Sequence, residues 1–235
     1  MTLNEVMAEL EQYGSESTKK IFLKHGAKEP FFGVKVADMK KIVKKVKKNH
    51  GLSLELYNTG NGDAMYLAGL IADENKISKK DLDNWVKKAT WQMISEYTVA
   101  WVAAESNYGF ELGKEWIESE EEHIAAAGWS TLSSVMSIKK DEELDVDKLS
   151  ALLDRVKNTI HHSPNRVRYT MNGFVIAAGS YVTALTDKAI AVAKAIGEIN
   201  VDMNGTACKV PSAQDYIKKI VDMDRVGKKR KMARC

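Results

Sequence analysis

Residues 82–98 read LDNWVKKATWQMISEYT and residues 112–128 read LGKEWIESEEEHIAAAG, and the relation between these two stretches decides the fold. Each sets a tryptophan, Trp85 or Trp116, near the end of one segment with helical apolar spacing, and each opens a second such segment soon after. The offset between the tryptophans is 31 residues. Helix pairs at that period bury their apolar faces only against neighbouring pairs, so the spacing predicts antiparallel helices stacked into a curved solenoid. The repeat is irregular, which leaves a compact non-repeating bundle as the alternative.

Outward from this pair, apolar residues recur at spacings of three and four along most of the chain. Helices are expected over 2–13, 16–25, 36–49, 62–73, 79–89, 92–105, 109–118, 121–137, 145–161, 165–180, 184–197 and 212–221. Only three prolines interrupt a sequence rich in Ala, Leu, Lys and Glu, residues that lose little on entering a helix. Ser78 reads as an N-cap, Gly26 and Gly51 as C′ glycines, and Pro164 and Pro211 as first-turn residues. Asn204-Gly205, within INVDMNGTACKVPS, suits either a small hairpin or a plain loop. The fold class is therefore all-α: a single helical-repeat domain over 1–222 followed by a basic tail over 223–235.

With 235 residues and 44% hydrophobic content, the chain is long enough to build its core without disulfides, and its two cysteines, Cys208 and Cys235, suggest no disulfide framework. The start has no signal-peptide pattern and no apolar run is long enough to span a membrane, so a cytoplasmic protein without membrane partners is expected. Charge is unevenly spread. Residues 1–50 hold eleven lysines against six acidic residues, and residues 209–235 hold nine basic against three acidic. Residues 104–147 reverse the balance, with three lysines against twelve acidic residues. A basic side and an acidic side suit a polyanion bound on one surface.

Four segments carry candidate chemistry. In VADMKKIVKKVKKNHG, Lys40, Lys41, Lys44, Lys45, Lys47 and Lys48 surround a stripe of Met39, Ile42, Val43 and Val46. Such a face is either a solvated surface or a binding site for phosphates. The tail RVGKKRKMARC is a basic arm expected to be disordered when free, with or without a role in phosphate binding. In NRVRYTMNGF, positions 165, 168, 169 and 172 share a helix face, so Arg168, Tyr169 and Asn172 project together, with Arg166 and Phe174 close by. Glu96 lies among aromatic and aliphatic residues, next to Trp91 and Gln92. It either pairs with a cation such as Lys88, faces water, or lines a cleft where it meets a positive charge. No HExxH or CxxC spacing occurs, and GFELGKE fails the phosphate-loop spacing, so neither a metal nor a nucleotide cofactor is expected.

TWQMISE, NRVRYTMNGFVIAAG and GVKVADMKKIVKKV together resemble the AlkD-type DNA alkylation repair proteins over roughly residues 10–220. That resemblance implies a right-handed superhelix of HEAT-like antiparallel helix pairs whose concave basic groove holds duplex, damaged or branched DNA by its backbone. In catalytic members it also implies cofactor-free hydrolysis of the N-glycosidic bond of alkylated purines, with an aspartate stabilising the positive charge on the sugar. The aspartate position falls on Glu96, the candidate catalytic carboxylate. The groove tryptophan falls on Gln92 beside Trp91, the groove arginine on Ala126, the second aromatic on Phe174 and the following basic group on Ala177. Trp91, Gln92, Lys40, Lys41, Lys44, Lys47, Arg166, Arg168, Tyr169, Asn172 and Phe174 are the expected DNA-contacting residues. Lost indole and guanidinium groups imply a DNA-binding protein with weak or no base excision. An active alkylpurine glycosylase using Glu96 and a protein-binding scaffold are the alternatives.

Overall fold

The computed structural model describes residues 1–89 and 91–234; Thr90, within the quoted repeat, and Cys235 lie outside them. Helices α1 (Leu3–Tyr13), α2 (Glu16–Lys24), α3 (Val36–Val46), α4 (His50–Asn58), α5 (Gly62–Ile71) and α6 (Lys79–Lys88) come first. A π-helical segment, Met93–Val99, runs directly into α7 (Ala100–Glu105). Then follow α8 (Gly109–Trp116), α9 (Glu122–Ile138), α10 (Val146–Thr159), α11 (Asn165–Tyr181), α12 (Thr186–Ile196) and α13 (Ala213–Asp222). No strand occurs among the described residues, so Asn204-Gly205 sits in a loop and not a hairpin. No single helix among them is long and apolar enough to cross a membrane.

Packing sorts the helices into two rows. The inner row is α5, the 93–105 helix, α9, α11 and α13, each against the next; α4, α6, α8, α10 and α12 cover it from outside. Trp85 and Trp116 are buried at the ends of the outer helices α6 and α8, where Trp85 stacks on Tyr57 at 4.1 Å and the Trp116 indole donates to Asp83 at 3.0 Å. The tryptophan repeat thus marks equivalent places in successive layers. Small residues let the rows approach: a Cβ at Gly128 of α9 would lie 2.6 Å from the Ile117 amide nitrogen and 2.9 Å from the Gly113 carbonyl oxygen of α8.

Two expectations about helix ends are corrected. Gly51 does not close the lysine helix; it is the second residue of α4, which is capped by Asn49 and was missing from the sequence reading. The lysine helix ends instead at Lys47, which adopts φ 58°. Ser78 caps α6 as expected, in a reciprocal box with Asp81.

The tail is also corrected, because it is docked. After α13 it crosses the last turns of the inner helices in reverse order, where four carbonyls per helix lack intrahelical partners and the helix dipole is negative. Gly227 donates its amide to Ser180 O on α11, and Lys229 donates from Nζ to Tyr181 O at 2.6 Å and Met136 O at 2.9 Å. Arg234, almost fully enclosed, reaches Gly69 O in the last turn of α5 and Ala72 O just past it, and pairs with Glu105 and Glu74. Glu105 also accepts the Ala233 and Arg234 amides. Lys229 and Arg234 are thus engaged by helix ends and carboxylates, while Arg225, Lys228, Arg230 and Lys231 stay exposed.

Candidate functional site

At the opposite ends of the same helices, the first turns converge. Glu96, in the π-helical segment, is 5% exposed, and Arg166, in the first turn of α11, grips it with both branches of its guanidinium. Nε donates to Oε1 at 2.8 Å and Nη2 to Oε2 at 2.6 Å. Glu122, in the first turn of α9, accepts the Arg166 amide at 2.7 Å and so fixes the start of α11. The Arg166 guanidinium lies 4.3 Å from the centre of the Tyr169 ring. Tyr97 lies near Tyr169 and meets Trp101 edge-on at 5.5 Å, and Trp101 meets Tyr66 at 6.2 Å. An aromatic row therefore runs along the inner helices from α11 to α5.

Glu96 is paired, and its partner is Arg166; Lys88, one of the cations considered for it, bonds Asn58 instead. Burial pushes the Glu96 carboxyl above its ordinary value; Arg166 opposes that shift and Glu122 adds to it. Both carboxylate oxygens are held in one fork, the geometry that makes Arg–carboxylate contacts strong and directional. A carboxylate so engaged has no free oxygen to set against a cationic sugar unless Arg166 moves away.

Several expected DNA-contacting residues belong to the interior. Trp91 is buried against Phe22 and Phe31 and donates its indole N–H to His25 O at 3.0 Å. Gln92 donates to the same carbonyl. Phe174 is fully buried, edge-on to Trp129 at 5.0 Å. Asn172 is 1% exposed and donates to Pro211 O, while Asn165 exchanges two hydrogen bonds with the Asp202 backbone. Asn165 and Asn172 are thus spent on holding the Asp202–Pro211 segment in place. Arg168, half-buried on that helix, keeps an enclosed Nε without a hydrogen-bond partner. Arg166 is the member of this group that meets Glu96, and Tyr169 lies against the Arg166 guanidinium.

On α3 the lysines divide. Lys41 pairs with Asp38 and lies over Tyr13, Lys45 pairs with Glu9, and Lys48 pairs with Glu74. Lys40, Lys44 and Lys47 are exposed and carry no ion pair among the described residues. Asp38 of the helix itself pairs with Lys41, Glu9 and Glu74 from its surroundings pair with Lys45 and Lys48, and Lys41 drops out of the unpaired set. The sequence reading did not single out Tyr97, Trp101 or Glu122. The pair Tyr97/Trp101, four residues apart on one helix face, was the available signal.

A stacked row of parallel inner helices, joined by a buried Arg–Glu clasp at one edge and lined with aromatics, defines a helical-repeat protein of HEAT-like type. The chain matches the DNA alkylation repair enzyme family over residues 6–213, and it belongs to that family. It is 34% identical over 225 residues to an uncharacterized protein of Listeria innocua, covering 93% of this chain and 97% of that one. A Listeria monocytogenes counterpart is 33% identical with the same coverage. A solved structure described as a new family related to the HEAT-like repeat DNA glycosylases, with affinity for branched DNA structures, superposes with a TM-score of 0.91. It is 42% identical and both chains are covered completely.

Proposed function

We propose that this protein binds branched or distorted DNA through backbone contacts and does not excise bases. The observation carrying this reading is the closed fork between Glu96 and Arg166, which occupies the one carboxylate placed where the family's catalytic members use an acid. Exposed, unpaired Lys44 and Lys47, in the last turn of α3 and just past it, supply charge for phosphates without base-reading geometry. A relative of complete coverage with affinity for branched DNA supports the same substrate class. The decisive experiment is a competition in which a four-way junction and a linear duplex of equal length displace a labelled junction, run beside chromatography of bases released from methylated duplex. Preference for the junction with base release at the spontaneous rate is the expected result. Release well above that rate, abolished in Glu96→Gln, would establish the glycosylase reading instead, and no binding to either DNA would leave the protein-binding scaffold.

A further inference from the structure

The docked tail and the lysine helix, almost two hundred residues apart in sequence, face each other across one opening. A cavity of about 640 Å³ lies between them, at the edge of the inner row opposite the Glu96–Arg166 pair. Its rim carries Lys40 from α3, Lys139 just past α9 and Lys231 from the tail; its walls include Val43, Leu70 and Met232. Lys40 and Lys231 are exposed and have no ion pair among the described residues, and Lys139 is 3.9 Å from Glu143. Three acidic residues also border the space, but Glu74 and Glu105 are engaged by Lys48 and Arg234. What remains is a hollow with apolar walls, rimmed by the unpaired Lys40 and Lys231 and by the loosely paired Lys139 and Glu143.

Cavities of roughly 300–1,000 Å³ are the size that encloses small organic ligands. Lysines at a rim take phosphate as point charges, and apolar walls take a flat ring that has lost its stacking partners. A continuous duplex offers no such ring, because its bases are stacked and paired. A branch point or a single-stranded end does.

We infer that this cavity is a binding site for one unstacked nucleotide and its phosphate at a DNA branch point, rimmed by Lys40, Lys139 and Lys231. The inference rests on the proposed function and deepens it: the tail completes the site by bringing Lys231 and Met232 to the opening, and Arg234 locks it there. Glu96 and Glu105 are nine residues apart on one continuous helix, so on the order of 13 Å separates this cavity from the Arg166 cluster, and the two make separate contacts.

The test uses the full chain with Lys40→Ala, Lys231→Ala and Met232→Ala combined, all exposed positions, after thermal melting confirms that the variant matches the parent. Binding is measured to a four-way junction, to a linear duplex, and to a junction carrying 2-aminopurine at the branch point, whose fluorescence reports the base's stacking. The parent is expected to change the probe's fluorescence and to prefer the junction. The variant is expected to leave the probe unchanged and to lose at least tenfold in junction affinity while holding linear duplex within twofold. Equal losses on junction and duplex, or no loss on either, would overturn the cavity assignment while leaving branched-DNA binding standing. A parent with no junction preference would instead overturn the proposed function itself.

Discussion

The Glu96–Arg166 pair is the residue on which both stability and activity turn, and its energetics follow from burial. An ion pair removed from water gains from its mutual attraction only what desolvation leaves, but breaking one side strands the other charge. Glu96→Ala is therefore expected to cost about 3–5 kcal/mol in urea unfolding. Glu96→Leu combined with Arg166→Met should recover most of that loss, because an apolar pair carries no desolvation penalty. A single-variant loss below about 1 kcal/mol would place the pair with solvated surface bridges. Phe174 makes the complementary case, since the resemblance put it in the groove and the fold puts it under Trp129. Phe174→Ala should cost about 3–5 kcal/mol through lost burial and the cavity left behind, with junction affinity unchanged once unfolded protein is discounted. A fall in affinity without loss of stability would return Phe174 to the DNA surface.

Among the elements, close approach and end-capping set the architecture. Ala at Gly128 would force the backbones of α8 and α9 apart, an overpacking cost of about 1–3 kcal/mol measurable by chemical denaturation. At the tail, burial works against the Glu74 charge, but hydrogen bonds from Lys48 and Arg234 outweigh it and hold the carboxyl at about 2, below its ordinary 4.5. A depressed carboxyl pKa contributes stability that is complete above the ordinary value and is lost as pH falls through the folded one. The stability gap between the parent and Glu74→Gln should thus be full at neutral pH and shrink between pH 4.5 and 2; a gap that grows on acidification would contradict the tail contacts. Arg234→Ala should expose the Lys228–Lys231 segment to trypsin while the helical core resists. Helices and several caps were legible because apolar period and capping residues are local: Ser78, Asp81 and the paired tryptophans are examples. The π-helical segment was not, because its wider turn departs from the 3.6-residue period by which faces are read. Nor was α4, whose Gly51 imitates a helix stop. The partner of Glu96 lies 70 residues away, and periodicity reports which face is buried without naming the residue across from it.

For the molecule as a whole, charge placement decides how binding responds to salt. On the outer row Glu111 and Glu115 pair with Lys79, and Glu118, just past α8, pairs with Arg155. The unpaired cations Lys40, Lys44 and Lys47 lie on the lysine helix and at its end, where they are the charges free to meet phosphates. Each phosphate neutralised by a lysine releases condensed counterions, which lowers log affinity with log salt at a slope of about −0.9 per contact. With about five phosphates engaged, a slope near −4.5 is expected for duplex DNA. Lys44→Ala with Lys47→Ala should reduce the slope by about two contacts, roughly 1.8, and weaken linear duplex and junction by the same factor, because these lysines read charge and no structure. That pattern differs from the junction-selective loss expected at the cavity, so the two sets of lysines are separable in one salt titration. A flat salt response, or a Lys44/Lys47 variant that loses junction preference while its slope stays at the parent's value, would show that the lysine helix is not the backbone-binding element.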